Sequence, residues 1–440
     1  MFARMFSALI FFGVSLGMQS AWAAPQPGQI NLKTAIDEAE SANPMAQKAV
    51  DAAELASLKE RESLAAFLPK VGVKADHFID NKFQVLDISF GSANLQMPAE
   101  YPMTTLTLEG SMTLFDGLAS WYSYWGAQKE AEAGQYQLRR ARLQLESEVK
   151  LRFYQAIAAR FLEDVASENL KTLDEHLSEI RARQRAGFST QFDVLRIEVQ
   201  LEDARVEKMA SADRVSVSRI RLTQAMGLEQ DDRALDGTMP VPSEIKVPEK
   251  LFVDLEKRDD IQAQMKLDFA AQDYKHAAQA HWYPKLSFFA NTQAYNNLNK
   301  SMLDSVPFRN AYAVGFSLSW RLFDGGAEKA RQDMAALHAR DAEHTLRAAQ
   351  LQVPVDFKTW RQKFFYSVSA FHASQRSVEK AQESVRLARV GLKAGTRTNV
   401  EMLDAELDLF RARAGVIKAQ LDAVEALINL ELALGKKLSS

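Results

Sequence analysis

Cysteine is absent from the 440-residue chain, which excludes disulfides, thiolate metal sites, cysteine nucleophiles and a lipid anchor on cysteine. Glycine and proline are scarce, at 19 and 12 residues, while hydrophobic residues make up 47%, so the composition is neither disordered nor collagen-like. An excess of one charge is also lacking, since 54 basic and 57 acidic residues leave a formal net charge of −3. That balance gives no electrostatic reason to expect nucleic acid as a partner.

Long hydrophobic runs are missing beyond the N-terminus. Residues 6–18 form one apolar run behind Arg4, which fits the core of a signal peptide and is shorter than the roughly twenty residues of a membrane-spanning helix. Residues 21–23, Ala-Trp-Ala, supply a small-x-small cleavage pattern. We therefore expect residues 1–23 to be a secretory signal peptide, with a membrane anchor as the alternative.

The second half of the chain repeats the first. Phe-Leu-Pro-Lys at 67–70 returns as Trp-Tyr-Pro-Lys at 282–285, and Leu-Phe-Asp-Gly at 114–117 returns at 322–325. The spacing between the copies changes only between these two landmarks and stays constant afterwards. Loops tolerate changes of length and packed elements do not, so the sequence predicts a solvent-facing turn between the landmarks.

After each Pro-Lys landmark the hydrophobic period changes to two. Val314 and Phe316, for example, alternate with glycine and serine, which predicts strands. Each copy therefore predicts one β-hairpin, at about 70–115 and 285–323, giving four strands in all and a loop over 80–102. Strands of this length with one apolar face are typical of a bilayer-spanning sheet, or alternatively of a sandwich over a soluble core.

Helical spacing fills the rest of each copy. Residues 119–185 contain no proline, and their apolar stripe predicts one helix of roughly 100 Å at 1.5 Å per residue. Charges such as Arg139 and Glu146 exclude this helix from lipid, so we expect an aqueous, coiled-coil-like rod. A return helix then ends at about Gly227. In the second copy Pro354 lies within the equivalent rod, and we expect it to kink or split that helix.

These patterns divide the chain into five segments, in which each repeat contains a helix, a hairpin, a long helix and a return helix. The predicted segments are a signal peptide at 1–23, a first repeat at 24–227, a linker at 228–257, a second repeat at 258–435 and a tail at 436–440.

Four strands in one chain are too few to close a barrel. Backbone groups at an open sheet edge find no partner in hydrocarbon, so only closed barrels span a membrane, and single-chain barrels begin at about eight strands. If the hairpins lie in lipid, several identical subunits must share one barrel. Rotational symmetry then also gathers the long helices into a hollow cylinder.

The sequence resembles the TolC-like family of outer-membrane efflux channels. The resemblance rests on the twofold repeat, the paired landmarks, and the run Gly-Thr-Arg-Thr-Asn-Val-Glu-Met-Leu-Asp-Ala at 395–405. It implies a mainly α fold with a small β part, in which a twofold repeat of long coiled-coil-like helices and β-hairpins forms a trimeric α-barrel plus a shared twelve-stranded β-barrel. It also implies the outer membrane of a Gram-negative-type cell, contact with its lipid, and a long periplasmic extension.

The same resemblance implies a function: the outer-membrane channel of a tripartite efflux or type I secretion system. Such a homotrimer passively conducts substrate handed over by an inner-membrane transporter and a periplasmic adaptor protein. The alternative is a periplasmic coiled-coil structural or adaptor protein without a pore. The phosphate-loop, nucleophile-elbow and His-Glu-x-x-His motifs do not occur and the seven histidines are scattered, so we expect no enzyme, no catalytic residues, no metal and no cofactor.

The resemblance also implies functional residues at the periplasmic tip. Glu401 and Asp404 are expected to face the entrance, where carboxylates repeated by symmetry favour cations; the alternative is an ordinary solvated helix face. Asp193 and Arg397 match a gating link of relatives, although Leu392 stands where a tyrosine is expected, and a surface pair without a gating role is the alternative. The turns expected to dock the adaptor comprise Ala186, Gly187, Phe188, Ser189, Ala394, Gly395 and Thr396.

Overall fold

The structure is a computed structural model that describes residues 28–79, 85–98, 102–242, 257–297 and 308–438. The predicted signal peptide lies outside the described residues, as do 243–256 of the predicted linker and the last two residues of the chain.

Helices dominate the described chain, and the two repeats contribute matching ones. The long helices α3 and α6 each have 67 residues, and the return helices α4 and α7 each have 36. We call α3 with α4 the first helix pair and α6 with α7 the second. The prediction of a mainly α chain with a small β part is confirmed. The helices are α1 Leu32–Ala42, α2 Pro44–Leu64, α3 Ala119–Arg185, α4 Gln191–Met226, α5 Asp259–Gln279, α6 Ala327–Lys393 and α7 Asn399–Leu434.

Helix α6 runs without interruption through Pro354, so the expected split of this helix does not occur. Proline removes one backbone hydrogen bond from a helix interior. Its neighbours Val353 and Phe357 are buried, and Phe357 packs against Leu430 and Leu434 of the return helix. Burial of such side chains contributes about 1.5–3 kcal/mol each, which offsets the missing bond.

Four strands form one antiparallel sheet, in the order β1-β4-β5-β6. The two hairpins of the repeat lie side by side because β4 pairs with β5, where Leu106 faces Ala294 and Met112 faces Phe288. The strands of this sheet are β1 Lys70–His77, β4 Pro102–Phe115, β5 Lys285–Asn297 and β6 Arg309–Ser319.

The predicted loop over 80–102 contains two further strands, β2 Val85–Phe90 and β3 Ala93–Pro98, which pair with each other. The prediction of only four strands in the chain is therefore wrong. The missed signal is local: apolar and polar residues alternate in β2, and a two-residue turn follows in which Gly91 has a φ of 57°. Such turns favour glycine at a left-handed position.

The core lies between the helices, beside α1 and along the helix pairs. One cluster includes Val149, Phe153 and Met226, and it also takes in Ile30 and Met239. The described part of the predicted linker packs on this core, because the Ile30 N–H donates to the Ala234 carbonyl at 2.9 Å. It therefore adds to the packing of the first repeat.

Candidate functional site

The four-stranded sheet exposes an apolar face. Cross-strand partners share a face, and the register aligns Val73 with Leu108 and Thr292 with Tyr312 in one row. Exposure of the large apolar side chains on this face runs from 46% to 85%. An exposed apolar patch of this kind requires lipid or a partner. The patch comprises Val71, Val73, Leu106, Leu108, Tyr312, Val314, Phe316 and Leu318.

The opposite face of the sheet is mostly polar or small, with Phe289 and Tyr295 as the large aromatic residues of β5 on it. One row across it contains Gly72, Glu109, Asn291 and Ala313. A sheet with water-compatible side chains on one face and exposed apolar side chains on the other matches the alternation of a membrane barrel strand.

The outer edges of this sheet are open. Among the described residues β1 pairs only with β4, and β6 pairs only with β5. Each outer edge therefore presents backbone N–H and C=O groups to whatever lies beside it. The sheet is complete only when another strand pairs with each edge.

The Phe-Asp-Gly landmark positions the sheet on the long helix. Gly117 has a φ of 70°, and a Cβ there would collide with the backbone carbonyl of Ala280 and the side chain of Tyr283. Asp116 accepts a hydrogen bond from the Ser120 N–H at 3.1 Å in the first turn of α3. Close backbone approach therefore fixes the angle at which strand passes into helix.

The first predicted docking turn joins α3 to α4 at the tip of the first helix pair. Gly187 has a φ of 81°, and the Phe188 N–H donates to the Arg183 carbonyl at 2.8 Å, as in a Schellman motif. The side chain of Phe188 is 83% exposed. Thr190 then begins α4 with a capping box to Asp193. Local chemistry thus holds an apolar ring out into solvent.

The second predicted docking turn repeats this geometry. The Thr396 N–H donates to the Gly391 carbonyl at 2.9 Å, and Gly395 has a φ of 73°. Gly391 also shapes this turn, and sequence reasoning missed this role. A Cβ at position 391 would overlap the side chain of Arg397. The Gly-x-x-x-Gly spacing of residues 391 and 395 is the sequence signal that marks this role. The missing side chain at 391 leaves room for Arg397 in the turn.

Glu401 has a structural task in this turn. Its carboxylate accepts hydrogen bonds from the Thr398 N–H at 2.8 Å and from the Arg397 guanidinium at 2.6 Å. These two donors hold the pKa of Glu401 below its ordinary value. Asp404 is 61% exposed, and its nearest basic group is Arg196 of α4 at 3.9 Å. The position of both acids at an entrance stays a prediction.

Asp193 and Arg397 are bound to different partners within one chain. Asp193 accepts from the Thr190 N–H at 3.0 Å, whereas Arg397 binds Glu401. Burial alone would raise the pKa of Asp193, but the Thr190 hydrogen bonds and the nearby Asn399 amide lower it. A gating link between Asp193 and Arg397 therefore stays a prediction.

The helix pairs meet at the tip. Arg183 of the first pair donates to the Leu392 carbonyl of the second at 3.2 Å. The residue at the expected tyrosine position therefore contacts the other helix pair through its backbone. Within the described residues, no cluster of three or more side chains suited to holding a metal ion occurs, and none of the helices has an apolar stretch long enough to cross a bilayer.

Comparison with known proteins adds three findings. The sequence profile of the family described as outer membrane efflux protein matches residues 35–228 and 254–436. Outer membrane protein TolC of Vibrio cholerae is 22% identical over 434 residues, which cover 97% of this chain and 94% of that protein. The pyoverdine export outer membrane protein OpmQ of Pseudomonas aeruginosa is 24% identical over 336 residues, covering 72% and 69%.

A solved structure shares the fold. The crystal structure of CusC aligns with a TM-score of 0.78 at 18% identity, covering 94% of this chain and 96% of that one. The helix pairs and the sheet thus belong to an architecture already seen in another chain of nearly the same extent.

Proposed function

The chain belongs to the outer membrane efflux protein family, and from that membership we propose how it assembles and which residues it uses. It is an outer-membrane channel component of an efflux or secretion system. We propose that three copies form the channel, with twelve strands in one shared barrel. An inner-membrane transporter and a periplasmic adaptor protein deliver the substrate, which crosses the channel passively.

The two-faced open sheet is the observation that carries the proposal. Its apolar face is exposed, its polar face is suited to water, and both of its edges lack partners among the described residues. A membrane admits such strands only in a closed barrel. Identical copies that pair β6 of one chain with β1 of the next supply both edges at once and enclose the polar face.

The long helices supply the periplasmic part of the channel. At 1.5 Å per residue, α3 and α6 each extend about 100 Å, and their charges exclude them from lipid. Three copies arrange the helix pairs around the axis that the barrel defines. The tips then form the entrance, with Glu401 and Asp404 facing it and Asp193 and Arg397 in the gating link.

The two tip turns are the proposed docking surface for the adaptor. Phe188 offers an exposed aromatic ring there, and aromatic anchors are common at protein interfaces. A Cβ added at Gly187 or Gly395 would meet no atom within 4 Å, so a partner helix can approach the backbone of these turns closely.

The proposed signal peptide, cleaved after Ala23, accounts for export to the envelope.

Purification in mild detergent tests the assembly. We expect a particle of three chains by native mass spectrometry and discrete conductance steps when it is added to a planar lipid bilayer. A monomer that stays in solution without detergent and forms no pores would contradict the proposal and would favour a periplasmic rod.

A further inference from the structure

A buried polar contact joins the two helix pairs near the tip. Nδ1 of His176 on α3 lies 2.9 Å from Oε2 of Glu406 on α7, and the two residues are only 6% and 5% exposed. The cluster of apolar side chains in this region includes Leu177 and Leu403. A buried polar group that loses its hydrogen-bond partner is destabilising, because its lost hydration is not replaced, so the His176 imidazole depends on Glu406.

The equivalent glutamate of the first repeat makes a different contact. Glu198 occupies the position of Glu406 in the first repeat, and it binds Arg181 of its own helix pair at 2.7 Å. The equivalent Arg389 is 3.9 Å from Glu406. Oε1 of Glu406 is the atom nearest Arg389, whereas Oε2 lies at hydrogen-bond distance from His176 of the first pair. Glu406 therefore makes its shorter contact with the first helix pair and a longer one with the arginine of its own pair.

The partner side of the contact breaks the repeat as well. The position of His176 is occupied in the second repeat by Ser384, whose side chain is far shorter and cannot reach as an imidazole does. The other ring nitrogen of His176 is buried with no hydrogen-bond partner among the described residues. Glu406 is thus the only described hydrogen-bond partner of this imidazole.

The contact lies on the side of α7 away from the two predicted entrance acids. Asn399 and Leu403 are buried on the same side of α7 as Glu406. At 100° per residue, Glu401 lies about 140° and Asp404 about 160° around the helix from Glu406. Apolar contacts are non-directional and permit small rotations, whereas a buried polar pair can specify one register between helices.

We propose that the His176–Glu406 pair is a positioning link that fixes the rotation of α7 on the first helix pair and so aims Glu401 and Asp404 at the entrance. The link rests on the proposed channel and on the entrance role of these two acids. It acts within one chain, so the two helix pairs of a chain keep one orientation relative to each other.

The cation-to-anion permeability ratio, measured from the reversal potential in a KCl gradient, tests the link. In both His176→Leu and Glu406→Leu we expect the ratio to fall roughly twofold or more, and no further in the double variant, because either change breaks the same contact. Glu406→Gln removes the charge but keeps a hydrogen-bonding group, and we expect a ratio close to that of the wild type.

The controls separate positioning from charge and from stability. Glu198→Leu removes the equivalent exposed acid and is expected to leave the ratio unchanged. If Glu406→Gln lowers the ratio as much as Glu406→Leu, the charge of Glu406 acts directly and the link is refuted. The leucine variants can also assemble with lower thermal stability and an unchanged permeability ratio. In that case the pair has only a stabilising role, and the link is likewise refuted.

The choice of variants depends on whether they still assemble into channels. If the leucine variants yield no channels, His176→Asn replaces them under the same criterion, since its shorter side chain breaks the contact but keeps the site polar. A wild type without pores overturns the proposed function itself. A cation-selective wild type that responds to loss of Glu401 and Asp404, but not to loss of the link, overturns only this inference.

Discussion

At the residue scale, the tip combines ordinary capping chemistry with charges that symmetry would concentrate. Glu401 and Asp193 occupy equivalent positions of the repeat, and each closes a capping box with a threonine. A carboxylate at the third helical position accepts a hydrogen bond from the backbone N–H of the capping residue and so stabilises the helix start. These acids therefore have a local reason to be present, and their effect on ions is a separate question that mutation can answer.

Neutralising the entrance acids is the first test. In the double variant Glu401→Gln/Asp404→Asn we expect a lower preference for cations, because symmetry-related carboxylates around one opening attract cations. Reversal potentials in a KCl gradient measure this preference. Replacing Glu379 and Glu383 of α6 by glutamine removes as many charges elsewhere, and an equal loss in that control would contradict the entrance role.

Removing the Arg397 side chain tests the gating link. We expect Arg397→Ser to raise the conductance of the resting channel, because an exposed polar link contributes only about 0–1 kcal/mol and one substitution can release it. Single-channel recording at fixed voltage measures the effect. Arg386→Ser breaks a comparable exposed ion pair with Glu383 and should leave conductance unchanged; a wild-type conductance in Arg397→Ser would count against the link.

At the scale of elements, neighbouring residues of one strand face different surroundings. Val314 belongs to the exposed apolar face of β6, whereas Ala313 belongs to the polar face. A lysine on the lipid side of a barrel costs about 2–4 kcal/mol near the membrane midplane, and a lysine on the lumen side costs much less.

Two lysine variants therefore distinguish lipid from a soluble core. We expect Val314→Lys to reduce the amount of assembled protein in the outer-membrane fraction, and Ala313→Lys to leave it nearly unchanged. Quantitative blotting of membrane fractions after a salt wash measures both. The reverse order of effects would show that the assignment of the two faces is wrong.

The strand-to-helix junction is the second feature at this scale. Gly117→Ala should cost about 1–2 kcal/mol for its left-handed backbone and a further 1–3 kcal/mol or more for overlap with Ala280 and Tyr283. Gly187→Ala has a similar φ but open space around it, so it isolates the first effect. The thermal stability of the assembled particle is measured for both variants. Equal losses of thermal stability would show that close packing at Gly117 is unimportant.

At the scale of the whole molecule, the open sheet edges predict where one chain meets the next. Within a chain β1 and β6 are separated by three strand spacings, about 14 Å, which is too far for a disulfide. In the proposed shared barrel, β6 of one chain and β1 of the next are neighbours. Because the natural chain has no cysteine, introduced cysteines report on this contact without background.

A cysteine at Ala311 in β6, combined in turn with one at Gly72, Lys74 or Asp76 in β1, should give covalent dimers and trimers on oxidation. The three β1 positions cover the unknown register between chains. Each single-cysteine variant is the control and should stay monomeric on a denaturing gel. Cross-linking confined to single chains would mean that the sheet closes in another way.

The sequence alone determined the repeat and its elements. Periodicity and the absence of proline in residues 119–185 predict the whole of α3, because the helical period is a local property of the sequence. The constant spacing between the copies predicts a helical segment of the same length in the second repeat. The same reasoning misses β2 and β3, since the alternating run beside Gly91 is short and lies within a predicted loop. It also predicts a kink or a split at Pro354, and the split does not occur in α6.

Tertiary structure decided which residues meet. The pairing of β4 with β5, the burial of His176 against Glu406 and the close approach of Arg397 to Gly391 all depend on segments far apart in the chain or on close packing in a turn. Spacing along the sequence carries no information about which face of one helix turns towards another. Only the three-dimensional arrangement fixes those contacts, because buried polar groups and close backbone approaches are satisfied in one geometry.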